Sequence, residues 1–227
     1  EAESYADVVR EFEQGFQGWE YKFNTVASSR GDYPFITVTA GTGTGRFAKQ
    51  ATISMLNVRR KGQGKKECKK PVLFPKIVFL YDENLHGPGK PLEDVFEAGV
   101  KCSAKTMYPD WLSLTGKGYV ASIYKQYKKV ISPMGCRAFL SPWYERGGMK
   151  PADENDQPVY EGRFNIGVVS LHLPMILAKA QHENTDFYEV LDYYLEMIRN
   201  FHLRTYAYLG KMEASINPVA FCYGGLY

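Results

Sequence analysis

The chain has 227 residues, enough for one sizeable domain or two small ones, and its 44% apolar and 23% charged content is that of an ordinary soluble globular protein. The net charge of +3 is small and no run of eighteen apolar residues or signal-peptide pattern occurs, so neither nucleic acid nor membrane is an expected partner. Four cysteines with no C-x-x-C make neither a disulfide framework nor a structural zinc site, and the expected compartment is the reducing cytoplasm.

Residues 3–28 predict a helix rich in Glu and aromatics. Ser29-Arg30-Gly31-Asp32 is a turn, and Phe35-Ile36-Thr37-Val38-Thr39 predicts a strand by its β-branched content. Gly41-Thr42-Gly43-Thr44-Gly45 then leads into a helix over about 46–60. This turn lacks the G-x-G-x-x-G spacing and the Lys-Ser/Thr of a P-loop. A simple turn and a phosphate-contacting turn both fit it.

The basic stretch Arg59-Arg60-Lys61, Lys65-Lys66 and Lys69-Lys70 is interrupted by Gly62 and Gly64 and reads as a solvated loop. Lys76-Ile77-Val78-Phe79-Leu80-Tyr81 is a near-continuous apolar run, expected of a strand buried on both faces. Residues 92–106 predict a helix, and a Tyr-rich segment over 119–131 follows. A polar, acidic insertion covers about 145–161. Ile166-Gly167-Val168-Val169-Ser170-Leu171 reads as another buried strand, and Pro174 opens a helix.

The strongest predicted helix is 186–209, where Phe187, Leu191, Tyr194, Ile198, Phe201, Thr205 and Tyr208 fall on one face. Asp186 and Glu189 form its cap pair. Alternating strands and helices give an α/β class with mainly parallel strands, read as one domain over 1–227. The chain opens without Met and ends at Cys222-Tyr223-Gly224-Gly225-Leu226-Tyr227 with no polar tail, which is expected of a piece of a longer protein.

The chemistry-bearing candidate is Ser132-Pro133-Met134-Gly135-Cys136-Arg137. Pro133 fixes one φ angle and Gly135 permits close approach, so Cys136 sits near the tip of a stiff loop. Arg137 places a cation beside the thiol, suited either to steering phosphate or to lowering the thiol pKa. A small apolar residue in an ordinary loop is the plainer reading of a single Cys. Cys68 lies in the Lys-rich loop, Cys102 reads as a core residue, and Cys222 reads either as a buried strand residue or as one lining a site. Asn165 either satisfies backbone at a strand boundary or hydrogen-bonds a ligand hydroxyl. His172 and His202 read as satisfied polar residues.

Several stretches, in order, resemble the large subunit of the anaerobic (class III, glycyl-radical) ribonucleotide reductases. They are Pro34-Phe35-Ile36-Thr37-Val38 with its Gly-rich turn, Phe74-Pro75-Lys76-Ile77-Val78-Phe79, and Cys102-Ser103-Ala104-Lys105 with Met107-Tyr108-Pro109-Asp110. Pro133-Met134-Gly135-Cys136-Arg137-Ala138-Phe139-Leu140, Gly162-Arg163-Phe164-Asn165-Ile166-Gly167-Val168-Val169, Leu173-Pro174 and Asn217-Pro218 continue the series.

The resemblance implies a ten-stranded α/β barrel, of which this chain is part, with a finger loop carrying Cys136 at its tip. It implies that Cys136 becomes a transient thiyl radical that removes the 3′ hydrogen of a ribonucleoside triphosphate. Asn165 would bond the ribose hydroxyls, and Met134 and Gly135 would line the substrate. Nucleotide effectors, a homo-oligomer and a radical-SAM activating enzyme are the partners so implied. No cofactor is expected within this chain. The family's ATP-cone domain, glycyl-radical motif of the Arg-x-x-Gly-Tyr type and zinc-binding cysteines are not found in it. The alternative is a non-catalytic, nucleotide-binding split subunit or regulator derived from the same barrel.

Overall fold

The computed structural model describes residues 2–25, 35–134, 139, 142–160 and 167–216. It divides into two compact units, Glu1–Ser141 and Pro142–Tyr227.

The first unit is α/β. Its elements are α1 (Ala2–Thr25), β1 (Thr37–Ala40), α2 (Arg46–Lys61), β2 (Lys76–Tyr81), α3 (Glu83–His86), α4 (Glu93–Thr106), β3 (Asp110–Ser113) and α5 (Tyr119–Tyr127). The strands form one sheet in the order β1-β2-β3, and both pairings are parallel. β2 is central and its four middle residues are buried, as its apolar run predicts.

Each face of the sheet has its own core. Ile77 and Phe79 pack with Met55, Leu56, Leu92, Val95 and Cys102 from the α2 and α4 side. Val78 and Leu80 pack on the other face with Leu114 and Val120, joined by Leu112 and Tyr124. Helix α4 reaches the sheet at Gly99, where a Cβ would come within 2.9 Å of the Trp111 ring and 3.3 Å of Phe79. The aromatic content of α1 forms a ladder, Phe12, Phe16, Trp19 and Phe23, with successive ring centroids 6.3, 5.9 and 5.1 Å apart.

Strand β3 is not anticipated by the sequence pattern. It is four residues long and follows Pro109, so its signal is that of a turn. Its edge is supplied by β2, through the register Val78 to Asp110 and Leu80 to Leu112.

Arg59 departs from its expected place in a solvated loop. It lies on α2 and is fully buried. Its Nε donates to Glu20 Oε1 at 2.6 Å and its Nη2 to the Pro75 carbonyl at 2.7 Å. The Tyr108 ring lies beneath it, 5.2 Å from Cζ. Arg59 continues the buried positions Thr52, Met55 and Leu56 at helical spacing, so the face of the helix, not the charge run, decides its burial. The basic loop beyond it is closed by an antiparallel bridge between Gln63 and Lys70.

The second unit contains the acidic insertion and two helices, α6 (Leu173–Glu183) and α7 (Phe187–Leu209). The insertion folds on itself. Tyr144 bridges Gly148 and Pro158, and the buried Asp156 carboxylate accepts backbone N–H groups from Arg146, Gly147 and Ala152 at 3.1, 2.8 and 2.8 Å. Arg146 also clamps both oxygens of Asp153, each at 2.6 Å.

Burial pushes the Asp156 carboxyl up, but the three N–H donors and the Arg146 charge outweigh it and leave its pKa below the ordinary value. Asp153 is lowered as well, by the Arg146 hydrogen bonds first and by the Asn155 amide next. A lowered carboxylate contributes stability above its unfolded pKa, about 3.9, and that contribution disappears as pH falls through the lower folded value. The Gly147 and Ala152 amides are therefore expected to stay protected from hydrogen exchange at neutral pH. Protection should be lost on acidification below the ordinary carboxylate range. Asp156→Asn should weaken it at neutral pH and remove most of its pH dependence, and unchanged acid protection in the native chain would contradict the account.

Helices α6 and α7 pack through Ile176, Ala180 and Val190, with Leu171, Phe187, Leu191 and Tyr194 around them. Pro174 stands in the first turn of α6, and the Asp186 side chain accepts from the Tyr188 and Glu189 amides to cap α7, both as expected. The α7 stripe drifts. Phe187, Leu191, Tyr194, Ile198 and Thr205 are at least half-buried, but Phe201 and Tyr208 are exposed and His202 and Leu209 take their places. The covered face thus repeats from 187 to 198 to 209, an interval of eleven (198 − 187 = 209 − 198 = 11), which follows a straight helix better than a seven-residue repeat does.

The expected buried strand at 166–171 is not formed over 167–171. Residues 167–170 are exposed and irregular, with Val168 at 78% exposure, and Leu171 alone turns toward the helix pair. An apolar run becomes a buried strand only with a neighbour to accept its backbone hydrogen bonds. Among the described residues of this unit there is no sheet for it to join.

Candidate active site

The three parallel strands end together, so the loops after β1, β2 and β3 share one edge of the sheet. In open α/β sheets this is the end at which ligands bind. Gly41 opens the loop after β1 with φ of 128°, and a Cβ there would come within 2.9 Å of the Leu80 carbonyl oxygen. Only glycine combines that conformation with so close a backbone approach. The Gly41 carbonyl accepts from Nε2 of buried His86 at 2.8 Å, which places a hydrogen on that nitrogen. Nδ1 of the same ring accepts from the Asp82 amide at 3.1 Å. The Asp82 side chain caps α3 through the Asn84 amide. His86 therefore ties the loop after β1 to the loop after β2. Helix α2 begins at Gly45 with no side-chain cap.

The segment that leads to Cys136 leaves α5 at Lys128, which closes the helix in the left-handed conformation with φ of 57°. From there it runs without regular structure, with Ile131 and Pro133 buried and Ser132 and Met134 half-buried. Ser132 Oγ meets Thr39 Oγ1 of β1 at 2.6 Å. Of the predicted site residues, Met134 is thus placed at the end of this stem. Gly135, Cys136 and Asn165 lie outside the described residues, as do Arg137 and Cys222.

The other candidates are settled by their surroundings. Cys102 is fully buried, and burial pushes its thiol pKa up against the opposing pull of Thr106 and Arg59, so it is a core thiol with little thiolate character. Cys68 is exposed in the basic loop. His172 caps α6, its Nδ1 accepting from the Met175 amide at 3.1 Å. Among the described residues no group of His, Cys, Asp and Glu could hold a metal ion, and no helix is long and apolar enough to cross a membrane. His86 and Thr39 carry no local signal in the sequence, because their partners lie 45 and 93 residues away.

A parallel three-stranded sheet flanked by helices, with the loops after its strands gathered at one edge and a partly buried segment bonded to its first strand, defines an α/β unit. The chain belongs to the anaerobic ribonucleoside-triphosphate reductase family, whose model matches residues 4–225. It is 33% identical over 227 residues to the anaerobic ribonucleoside-triphosphate reductase of Escherichia coli, covering 99% of this chain and 30% of that protein. It is 34% identical to the Salmonella typhimurium enzyme over the same span. The enzyme of Enterobacteria phage T4 is 31% identical over 212 residues, covering 91% of this chain and 33% of that protein. The chain thus spans about a third of the length of these relatives.

Proposed function

We propose that this chain is the part of the catalytic α/β barrel of an anaerobic ribonucleotide reductase that carries the finger loop, and that Cys136 is its thiyl-radical residue. The observation that carries the reading is the stem. Family membership over residues 4–225 supplies the reaction class, and the described stem, with Ile131 and Pro133 buried and Ser132 bonded to Thr39, ends at Met134, the residue that precedes Gly135-Cys136 in the sequence. The parallel sheet β1-β2-β3 would be three of the barrel's ten strands, with β1 and β3 as edges for further strands.

The substrate is a ribonucleoside triphosphate. The thiol hydrogen of Cys136 leaves first, and the resulting thiyl takes the hydrogen from C3′ of the ribose; the 2′-hydroxyl then leaves as water while an external two-electron donor, formate or a redox protein, reduces C2′, and the thiol returns its hydrogen to C3′. S–H and activated ribose C–H bonds are similar in strength, so the exchange runs in both directions. It demands close approach and exclusion of water, which a stiff loop within a closed barrel provides. Asn165 would hold the ribose hydroxyls as donor and acceptor. Met134 and Gly135 would form the wall beside the thiol.

The oxidising equivalent that generates the thiyl would be supplied by a glycyl radical of the same enzyme, installed by a radical-SAM activating enzyme. A structural zinc would accompany that glycine. Nucleotide effectors, homo-oligomerisation and a cytoplasmic location complete the proposal.

The test is Cys136→Ser in the complete reductase, assayed for turnover and for nucleotide binding separately. Loss of turnover with binding retained is the expected result. Substantial remaining turnover would remove Cys136 from the mechanism.

A further inference from the structure

Helix α1 packs inward through Tyr5, Phe16, Trp19 and Glu20, which meet α2 and the core behind it. Its outward side carries a second stripe. Glu11, Gly15, Gly18 and Lys22 follow at intervals of four, three and four (15 − 11 = 22 − 18 = 4), the spacing of neighbours along one helix face, and all four are exposed.

Glycine in a helix interior costs stability relative to alanine. Nothing among the described residues requires it at either position, because a Cβ on Gly15 or Gly18 would meet no atom within 4 Å. A helix surface bare of side chains allows a second helix to approach closely. Beside the glycines lies an open groove of about 340 Å³, lined by Glu11, Phe12, Gly15, Phe16 and Trp19. Its three aromatic rings are only half-buried.

The charges on the stripe identify which helix fits. Glu11 and Lys22 are opposite in sign, stand one turn outside the glycine pair on either side, and form no ion pair among the described residues. The nearby charges are already matched, Asp7 by Arg10 and Glu13 by Lys61. In an antiparallel pair of identical helices crossing midway between the glycines, position 15 faces position 18 and position 11 faces position 22. Each Glu11 then meets a Lys22, and the two aromatic grooves lie on the same side of the pair. A parallel pair would set Glu11 against Glu11. A two-fold interface demands this kind of self-complementarity, in which each residue meets its counterpart twice.

We propose that α1 is an interface between two copies of this chain: the helices cross antiparallel at Gly15 and Gly18, Glu11 of each copy pairs with Lys22 of the other, and Phe12 and Trp19 of the two grooves cover one another. The inference rests on the homo-oligomer of the proposed function and gives it a surface. It does not depend on the assignment of Cys136.

The experiment measures self-association of the complete reductase by analytical ultracentrifugation. Glu11→Lys and Lys22→Glu each set like charges against one another at both ends of the crossing. Either variant alone is expected to raise the dissociation constant at least about tenfold. Mixed one to one, the two variants restore both ion pairs in a heterodimer, so the mixture should recover the native affinity. Contact with any other surface of the reductase would not be rescued by mixing. Gly18→Leu places its side chain in open space and raises helix propensity, so the fold is kept and the urea midpoint should not fall. It holds the two backbones apart, and should raise the dissociation constant about a hundredfold.

Native self-association in both charge variants, a mixture that stays dissociated, or an unchanged constant in Gly18→Leu would each overturn the proposal. A wild-type reductase that is monomeric at every concentration would refute the homo-oligomer itself. A wild-type oligomer that none of the variants disturbs would refute the α1 interface alone, so the two failures are distinguishable.

Discussion

Cys136→Ser is expected to lower turnover of the complete reductase by at least about 10⁴-fold, which requires only about 5.5 kcal/mol of added barrier. Serine is close to cysteine in size and leaves the loop backbone undisturbed. Its O–H bond is much stronger than S–H, so neither generation of the radical nor its return to the side chain is accessible. Nucleotide binding should change little, because in the proposed mechanism the sulfur acts on a hydrogen and does not hold the phosphates. The pattern to look for is therefore a collapse of kcat with the dissociation constant preserved. Parallel losses of both would point to misfolding of the loop. Measurable turnover near the native rate would place the chemistry elsewhere.

Glu20→Ala is expected to cost about 3–5 kcal/mol of stability, the effect of leaving one member of a buried ion pair alone. Arg59 is fully buried and its pair with Glu20 is made at 2.6 Å. Glu20 is 2% exposed and its second oxygen takes the Gln63 amide at 3.3 Å. With Glu20 removed, the guanidinium keeps only the Pro75 carbonyl and the Tyr108 ring, and its Nη1 already makes no hydrogen bond among the described residues. Such a loss is a large fraction of the ordinary stability of a domain, about 5–15 kcal/mol. Urea unfolding should show a lower midpoint in Glu20→Ala, and Glu20→Ala with Arg59→Met should recover most of it, since the uncompensated charge is the main penalty. A single variant as stable as the native chain would mean that the pair carries no such penalty. Neither residue lies at the strand-end edge, so substrate affinity in the folded fraction should be unchanged.

The elements most legible in the sequence are those with a strong local signal. β2 is an unbroken apolar run, α7 has a long periodic face with Asp186 at its start, and Pro174 marks the opening of α6. The parallel α/β class follows from the alternation of such elements. The elements read wrongly are those whose state depends on a distant partner. β3 exists because β2 offers it an edge, and residues 167–171 form no strand where the described residues of their unit include no sheet. Arg59 sits in a charge run but on a buried helix face, and its charge is answered by Glu20, 39 residues earlier.

The candidate site divides in the same way. The residues Met134-Gly135-Cys136-Arg137 and Asn165, and the family to which they point, are properties of the amino-acid sequence alone, because motif and order survive without coordinates. The loop after β1 and the stem before Cys136 are decided only by the tertiary structure. Gly41 is demanded by the Leu80 carbonyl, His86 reaches back 45 residues to hold that turn, and Thr39 meets Ser132 across 93. The physical reason is that a hydrogen bond depends on the separation of two atoms in space, and no local pattern encodes a separation that arises only when a parallel sheet brings remote strands and loops to a common edge.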